Sequence, residues 1–256
     1  MTRKALQFED VSFAYQSSKE PKAILDKLNF YINEGELVSI IGPSGSGKST
    51  IFKLITGLEK PCHGQILINE EHYQNRLGRV GYMPQQDLLM PWRTIIENAA
   101  LPLEIKGMTK KMAYQKVLEL LDQFDLKEAR DLYPSELSGG MKQRISFLRT
   151  VLSGSNVLLL DEPFSSLDAI TRLSMQEWLL GQWKKWKLSI LFITHDVDEA
   201  LFLSDRVFVF TENPVQRFAE IKVPLGRPRV IRDIHSPKVI EVKEQLIERL
   251  RTRRLI

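Results

Sequence analysis

The nine residues GPSGSGKST at 42–50 constrain this chain more than any other stretch. The apolar run LVSII (37–41) leads in and IFKLITGL (51–58) leads out, so the loop reads as a turn between a buried strand and a helix. Gly42, Gly45 and Gly47 allow backbone dihedrals that other residues avoid, and successive N–H groups can then converge on one anion at the start of the helix. Pro43, Ser44 and Ser46 complete the cradle. Lys48 reaches the β- and γ-phosphates of such a ligand as a point charge, Ser49 offers its hydroxyl to a bridging Mg2+ ion, and Thr50 enters the first helical turn. A chance glycine-rich turn is the bland alternative, and the placement between strand and helix argues against it.

With 256 residues and 43% hydrophobic content, the chain can bury the core of one large domain, or of one domain carrying an inserted lobe. No apolar run approaches the ~20 residues of a membrane span, and MTRKALQFED lacks the apolar centre of a signal peptide. The expectation is a soluble protein that stays in the compartment where it is made. Cys62 is the single cysteine, which rules out an intramolecular disulfide and a four-cysteine zinc site and fits a reducing cytosol. His63 beside it reads as part of a turn rather than of a metal site.

The net charge of +4 is uneven. Residues 226–254 hold nine Lys/Arg against four Asp/Glu, a balance of +5 that leaves −1 for the rest. The body therefore has no basic excess, and nucleic acid is not an expected partner. WKKWK (183–187) interleaves tryptophan and lysine as single-strand binders do, but it ends a helix, where amphipathic packing is the ordinary cause. The basic tail reads as a solvated helix face, with lipid headgroups as the alternative partner.

LQFEDVSFAY and LDKLNFYI alternate in polarity around the turn-like SSKEP, which predicts an antiparallel region at the N-terminus; GQILIN (64–69) predicts another strand. Helical periodicity dominates about 94–154. Apolar strands then return in NVLLLDEP (156–163), LSILFITHD (188–196) and RVFVFT (206–211), separated by helical segments, which implies a mainly parallel sheet covered on both faces. The organisation expected is one domain over 1–256: an α/β core from 1–93 and 155–225, a helical lobe at 94–154, and a basic tail at 226–256. Ser236 and Pro237 cap a final helix with an apolar stripe at 239, 242, 246 and 250.

Two further motifs join the loop. VLLLDEP (157–163) ends a strand in two carboxylates, placing Asp161 to enter a Mg2+ shell beside Ser49 and Glu162 to face a water in line with a γ-phosphate. LSGGM (137–141) offers the Ser138 hydroxyl and the backbone of Gly139 and Gly140 at the start of another helix, a second anion site in the same chain. One nucleotide held between two copies would use both.

In this order the motifs resemble the ATP-binding cassette of ABC transporters, over nearly the whole chain. The resemblance implies a P-loop NTPase core, ATP with Mg2+, and a homodimer. It assigns Tyr15 to stacking on adenine and Gln85, with Gln86 as second choice, to sensing Mg2+ and water. It assigns Leu137, Ser138, Gly139, Gly140 and Met141 to the ATP of the opposite protomer. Ser165, Ser166, Leu167 and Asp168 match the loop crossing the interface, and His195 the histidine that contacts the γ-phosphate. Glu162 is the expected general base, a role in which Lys48, Gln85 and His195 assist.

Met141 in LSGGM, together with QQDLLMPWRTIIENAALPLEIKG and PFSSLDAITRLSMQEWL, is similar to the nitrate, sulfonate and taurine importer group, whose relatives also carry thiamine pyrimidine precursors. That implies an energy-coupling subunit on the cytoplasmic face of the inner membrane, peripheral to a permease that docks near Gln85, Trp92 and the 87–96 segment. An extracytoplasmic solute-binding protein would act indirectly. The alternative is a soluble ABC-type ATPase serving nucleic-acid or protein assembly. A GTPase reading lacks an Asn-Lys-x-Asp guanine motif and leaves LSGGM unexplained.

Overall fold

The computed structural model describes residues 3–16, 22–212 and 214–251; the SSKEP turn and the tail arginines Arg253 and Arg254 lie outside the described residues. The strands are β1 (Lys4–Tyr15), β2 (Lys22–Asn33), β3 (Leu37–Ile41), β4 (His63–Ile68), β5 (Glu71–His72), β6 (Gly81–Met83), β7 (Val157–Asp161), β8 (Ser189–Ile193), β9 (Arg206–Val209) and β10 (Ala219–Lys222). The helices are α1 (Lys48–Thr56), α2 (Ile95–Ile105), α3 (Lys110–Leu121), α4 (Gly139–Val151), α5 (Ala169–Trp186), α6 (Val197–Leu203) and α7 (Pro237–Arg251).

β2, β1, β4 and β5 form an antiparallel sheet in that order. Leu6 and Phe8 face the core on one side of a bulge, Val11 and Phe13 on the other. Asp10, with φ 49, is the left-handed residue that absorbs the slip, so both halves of β1 present the same face.

The second sheet runs β10-β9-β3-β8-β7-β6, parallel except for β10. Its central strands are buried on both faces, which is why β3, β7 and β8 read as unbroken apolar runs. Side chains alternate between two cores: Leu158, Leu160, Ile190 and Phe192 join the helices of the 94–154 segment, while Val157, Leu159, Leu191 and Ile193 join α1 and the antiparallel sheet. α1 thus lies between two sheets, fixed by Ile51, Phe52, Leu54 and Ile55. Trp183 and Trp186 of WKKWK pack against the helical-side core.

β6, β10 and β5 were not anticipated from the sequence. β5 and β6 have two and three residues, too short for an alternation to register, and the four residues of β10, AEIK, hold only two apolar side chains, neither of them buried. β6 matters most, because it places the chain that leads into Gln85.

α7 lies on the body through Val239 and Leu246, both completely buried and each worth roughly 2 kcal/mol relative to exposure. Lys243 pairs with Asp198 of α6 at 2.7 Å. Upstream, the Arg229 guanidinium donates to the carbonyls of Leu201, Phe202 and Ser204 at 3.2, 3.0 and 2.8 Å, closing the C-terminal end of α6. Arg227 pairs with Asp205 at 2.9 Å and stacks 4.4 Å from the Trp183 ring.

Candidate nucleotide site

The 42–50 loop leaves β3 and turns into α1. Gly45 and Gly47 have φ of 80 and 93, the left-handed backbone that glycine takes without penalty. Gly42 corrects the sequence reading: it has no positive φ, and its requirement is space, because a Cβ there would lie 2.6 Å from the Phe210 carbonyl oxygen. Ser46 is buried and Pro43, Ser44 and Ser49 are exposed. Lys48 donates to the carbonyls of Gly42 and Pro43 at 2.8 and 2.9 Å. Burial pulls its ammonium below the usual value, opposed by the charges of Glu162 and Asp161.

Four parallel strands deliver the other groups to the same edge: β3 the loop, β7 Asp161 and Glu162, β8 His195, and β6 Gln85. This is the carboxyl edge, where α/β sheets bind ligands. Gln85 donates through Nε2 to Glu162 Oε2 at 2.9 Å, and His195 Nδ1 lies 3.3 Å from Glu162 Oε1. The Glu162 side chain is 21% exposed and that of His195 66%. A cavity of about 660 Å³ joins Gly42, Pro43, Ser44 and Lys48 to Gln85, Glu162 and His195. Burial first, then the charge of Glu162, raises the Asp161 carboxyl to about 6, while Lys48 and a hydrogen bond from Tyr82 oppose that shift.

Other expected site residues lie elsewhere. Ser138 caps α4, its hydroxyl accepting from the Met141 N–H at 3.3 Å; Ser138 and Gly139 are exposed and Leu137 is buried. Among the described residues, none of 137–141 lines the cavity. Gly139 and Gly140 lie against Leu167 and Thr171, tying the 137–141 segment to the 165–168 loop. Ser165 and Ser166 are exposed, and Asp168 caps α5 by accepting from the N–H groups of Ile170 and Thr171, both at 3.1 Å. Tyr15 stands against α1 outside the cavity lining: its hydroxyl shares a 3.4 Å hydrogen bond with Thr50, and the Lys53 ammonium is 5.7 Å from its ring.

Sequence reasoning missed five contributors, on three elements. Tyr82 of β6 lies beside Asp161, and burial pushes its hydroxyl up to about 12. Asn98, fully buried in α2, accepts from the Met90 N–H at 2.8 Å and donates to the carbonyls of Met90, Arg93 and Thr94, pinning the segment after Gln85. Ile247, Leu250 and Arg251 of α7 line the cavity itself. A polar residue at an apolar position of α2 was the only available signal, and it concerned Asn98 alone.

A polyphosphate fits these residues. The Ser46 hydroxyl is buried without a partner, no side chain caps the α1 N-terminus at Gly47, and its first turn holds no acidic residue. An anion there would bond the hydroxyl, complement the helix dipole and replace the Lys48 carbonyl partners. Fold and site together define a P-loop nucleoside triphosphatase.

A protein-family profile described as ABC transporter matches residues 25–165. The formylaminopyrimidine import ATP-binding protein ThiZ of Halalkalibacterium halodurans is 50% identical over 224 residues, covering 88% of this chain and 86% of the relative. The aliphatic sulfonates import ATP-binding protein SsuB of Bacillus cereus is 36% identical over 245 residues, covering 95% and 94%. A dimeric ATP-binding cassette solved in a post-hydrolysis state with ADP and Pi is 28% identical, with a TM-score of 0.72 over 86% of this chain and all of that one. The chain belongs to the ATP-binding cassette family of ABC transporters, and it is an ATPase of that family.

Proposed function

We propose that the protein is the energy-coupling subunit of an importer for a formylaminopyrimidine-like heterocycle. Two copies close on two Mg-ATP, and their separation after hydrolysis drives an integral membrane permease fed by an extracytoplasmic solute-binding protein. The separation within one chain of the Lys48 cavity from the exposed Ser138 and Gly139 carries the dimeric part of this reading. Each half needs a second copy to complete a phosphate site.

Residues 42–50 cradle the phosphates, Tyr15 stacks on adenine, and Ser49, Asp161 and Gln85 hold Mg2+. Glu162 accepts the proton of the attacking water, and Gln85 and His195 fix its orientation. Residues 137–141 cap the γ-phosphate of the partner's nucleotide, and 165–168 cross between the copies. No helix among the described residues is long and apolar enough to cross a membrane. The chain then sits peripherally on the cytoplasmic face, docking through the segment around Trp92, which is 73% exposed. The 50% identity to the formylaminopyrimidine relative, against 36% to the sulfonate one, favours the heterocycle.

The test is to purify the tagged chain from detergent-solubilised membranes of its source, identify the co-purifying chains, and assay ATP-driven uptake of labelled formylaminopyrimidine by the reconstituted assembly. A permease and uptake are expected. Recovery of soluble partners alone points to the non-transport ATPase, and uptake of a sulfonate in place of the pyrimidine replaces the solute.

A further inference from the structure

The cavity that holds Lys48, Gln85, Glu162 and His195 has one wall that comes from outside the motifs: Ile247, Leu250 and Arg251, the last turn of α7. This turn is held by the fold. Val239 and Leu246 are completely buried, Lys243 is paired to Asp198, and Arg229 locks the approach to α7 onto the end of α6. α6 itself starts two residues after His195, so α7 rests on the element that carries the histidine.

The Arg251 side chain makes no hydrogen bond or ion pair with another described residue, although the cavity also contains Glu162. A helix C-terminus carries a partial negative charge, and set beside a phosphate site it would oppose an anion unless a cation offset it. Lys48, the other cation among the described residues that line the cavity, is one point charge facing a triphosphate. Arg251 shares the cavity with Lys48, Gln85, Glu162 and His195, and Tyr15 does not line it; this places the arginine towards the phosphate end of a bound nucleotide.

Resting on the nucleotide reading above, we propose that Arg251 is a phosphate-binding residue delivered in cis by α7, its guanidinium pairing with the terminal phosphate of bound ATP. The planar fork suits two phosphate oxygens at once. Ile247 and Leu250 form the apolar side of the wall beside that pair. ADP has no terminal phosphate at this position and is indifferent to the arginine.

The experiment measures binding of the non-hydrolysable ATP analogue AMP-PNP and of ADP, both with Mg2+, to the full chain by calorimetry at concentrations where it is monomeric. Arg251→Ala is expected to weaken AMP-PNP about tenfold, the scale of one charge-assisted hydrogen bond, and ADP by less than about twofold. Arg251→Lys should recover part of the loss, and thermal melts should match the parent, since the side chain is exposed. Equal affinities in Arg251→Ala and parent overturn the inference, as does an equal loss for both nucleotides, which would mean a damaged pocket. Faster hydrolysis by Arg251→Ala at unchanged affinity also overturns it, making α7 a lid and not a ligand. A parent chain that binds neither nucleotide overturns the nucleotide reading, and the inference with it.

Discussion

Glu162 is held by its backbone as much as by its side chain. Its φ of 46 is left-handed, a conformation that costs a non-glycine residue on the order of 1 kcal/mol and that persists only where the surroundings enforce it. Its N–H donates to the Ile193 carbonyl at 2.9 Å, and its carbonyl accepts from the Ser165 N–H at 3.2 Å and hydroxyl at 3.0 Å. Those bonds aim the carboxylate at Gln85 and His195 and link it to the 165–168 loop. Replacing only the proton-accepting oxygen, Glu162→Gln should lower kcat for ATP by roughly 10²–10⁴ while nucleotide affinity stays within about twofold. A kcat equal to the parent's in a steady-state ATPase assay would remove Glu162 as the base. Gly42 shows the limit of reading at this scale: the residue type was legible, but its reason, the nearness of Phe210, lies 168 positions away in the chain.

At the scale of elements, the basic tail shows what composition conceals. Two of its nine cations, Arg227 and Arg229, are neither a solvated face nor a lipid contact. Arg229, with 1% of its side chain exposed, closes α6, and burial followed by the charge of Arg227 lowers its guanidinium to about 10. Arg229→Ala would strand the carbonyls of Leu201, Phe202 and Ser204, at a cost of about 3 kcal/mol. Urea unfolding should show that loss, and an unchanged midpoint would mean that water replaces the guanidinium freely. The helices themselves were legible, because their apolar residues recur at the spacing of one face: 239, 242, 246 and 250 in α7 all contact the core. The β1 bulge was not, since a one-residue slip at Asp10 leaves the alternation intact on either side.

Across the whole molecule, the proposed function gives one chain two half-sites that it does not join. Mg-ATP should therefore act as the glue between copies, its contacts favouring the closed state. With hydrolysis blocked by Glu162→Gln, light scattering should report a monomer with ADP and a dimer with ATP, and adding Lys48→Ala should abolish the shift. A Glu162→Gln chain that stays monomeric at saturating ATP would contradict the sandwich. The segment after Gln85 is pinned on one side by Asn98 of α2 and on the other by Arg149 of α4, which donates to the Leu88 carbonyl at 2.8 Å. Under the proposed function, movement of the helical segment would reach Gln85 through those bonds.

The sequence alone determined the phosphate loop, the carboxylates at the end of β7, the helix-capping LSGGM and the α/β class, because each is written in contiguous residues and in local periodicity. Only the tertiary structure decided that Gln85, Glu162, His195 and Arg251 share one cavity, that Tyr82 reaches Asp161, and that Arg229 closes α6. Those groups are brought together by a strand order, β9-β3-β8-β7-β6, that does not follow the chain, and by a helix that returns from its far end. Pairing of that kind is set by the burial of whole faces, and no short stretch of residues encodes it.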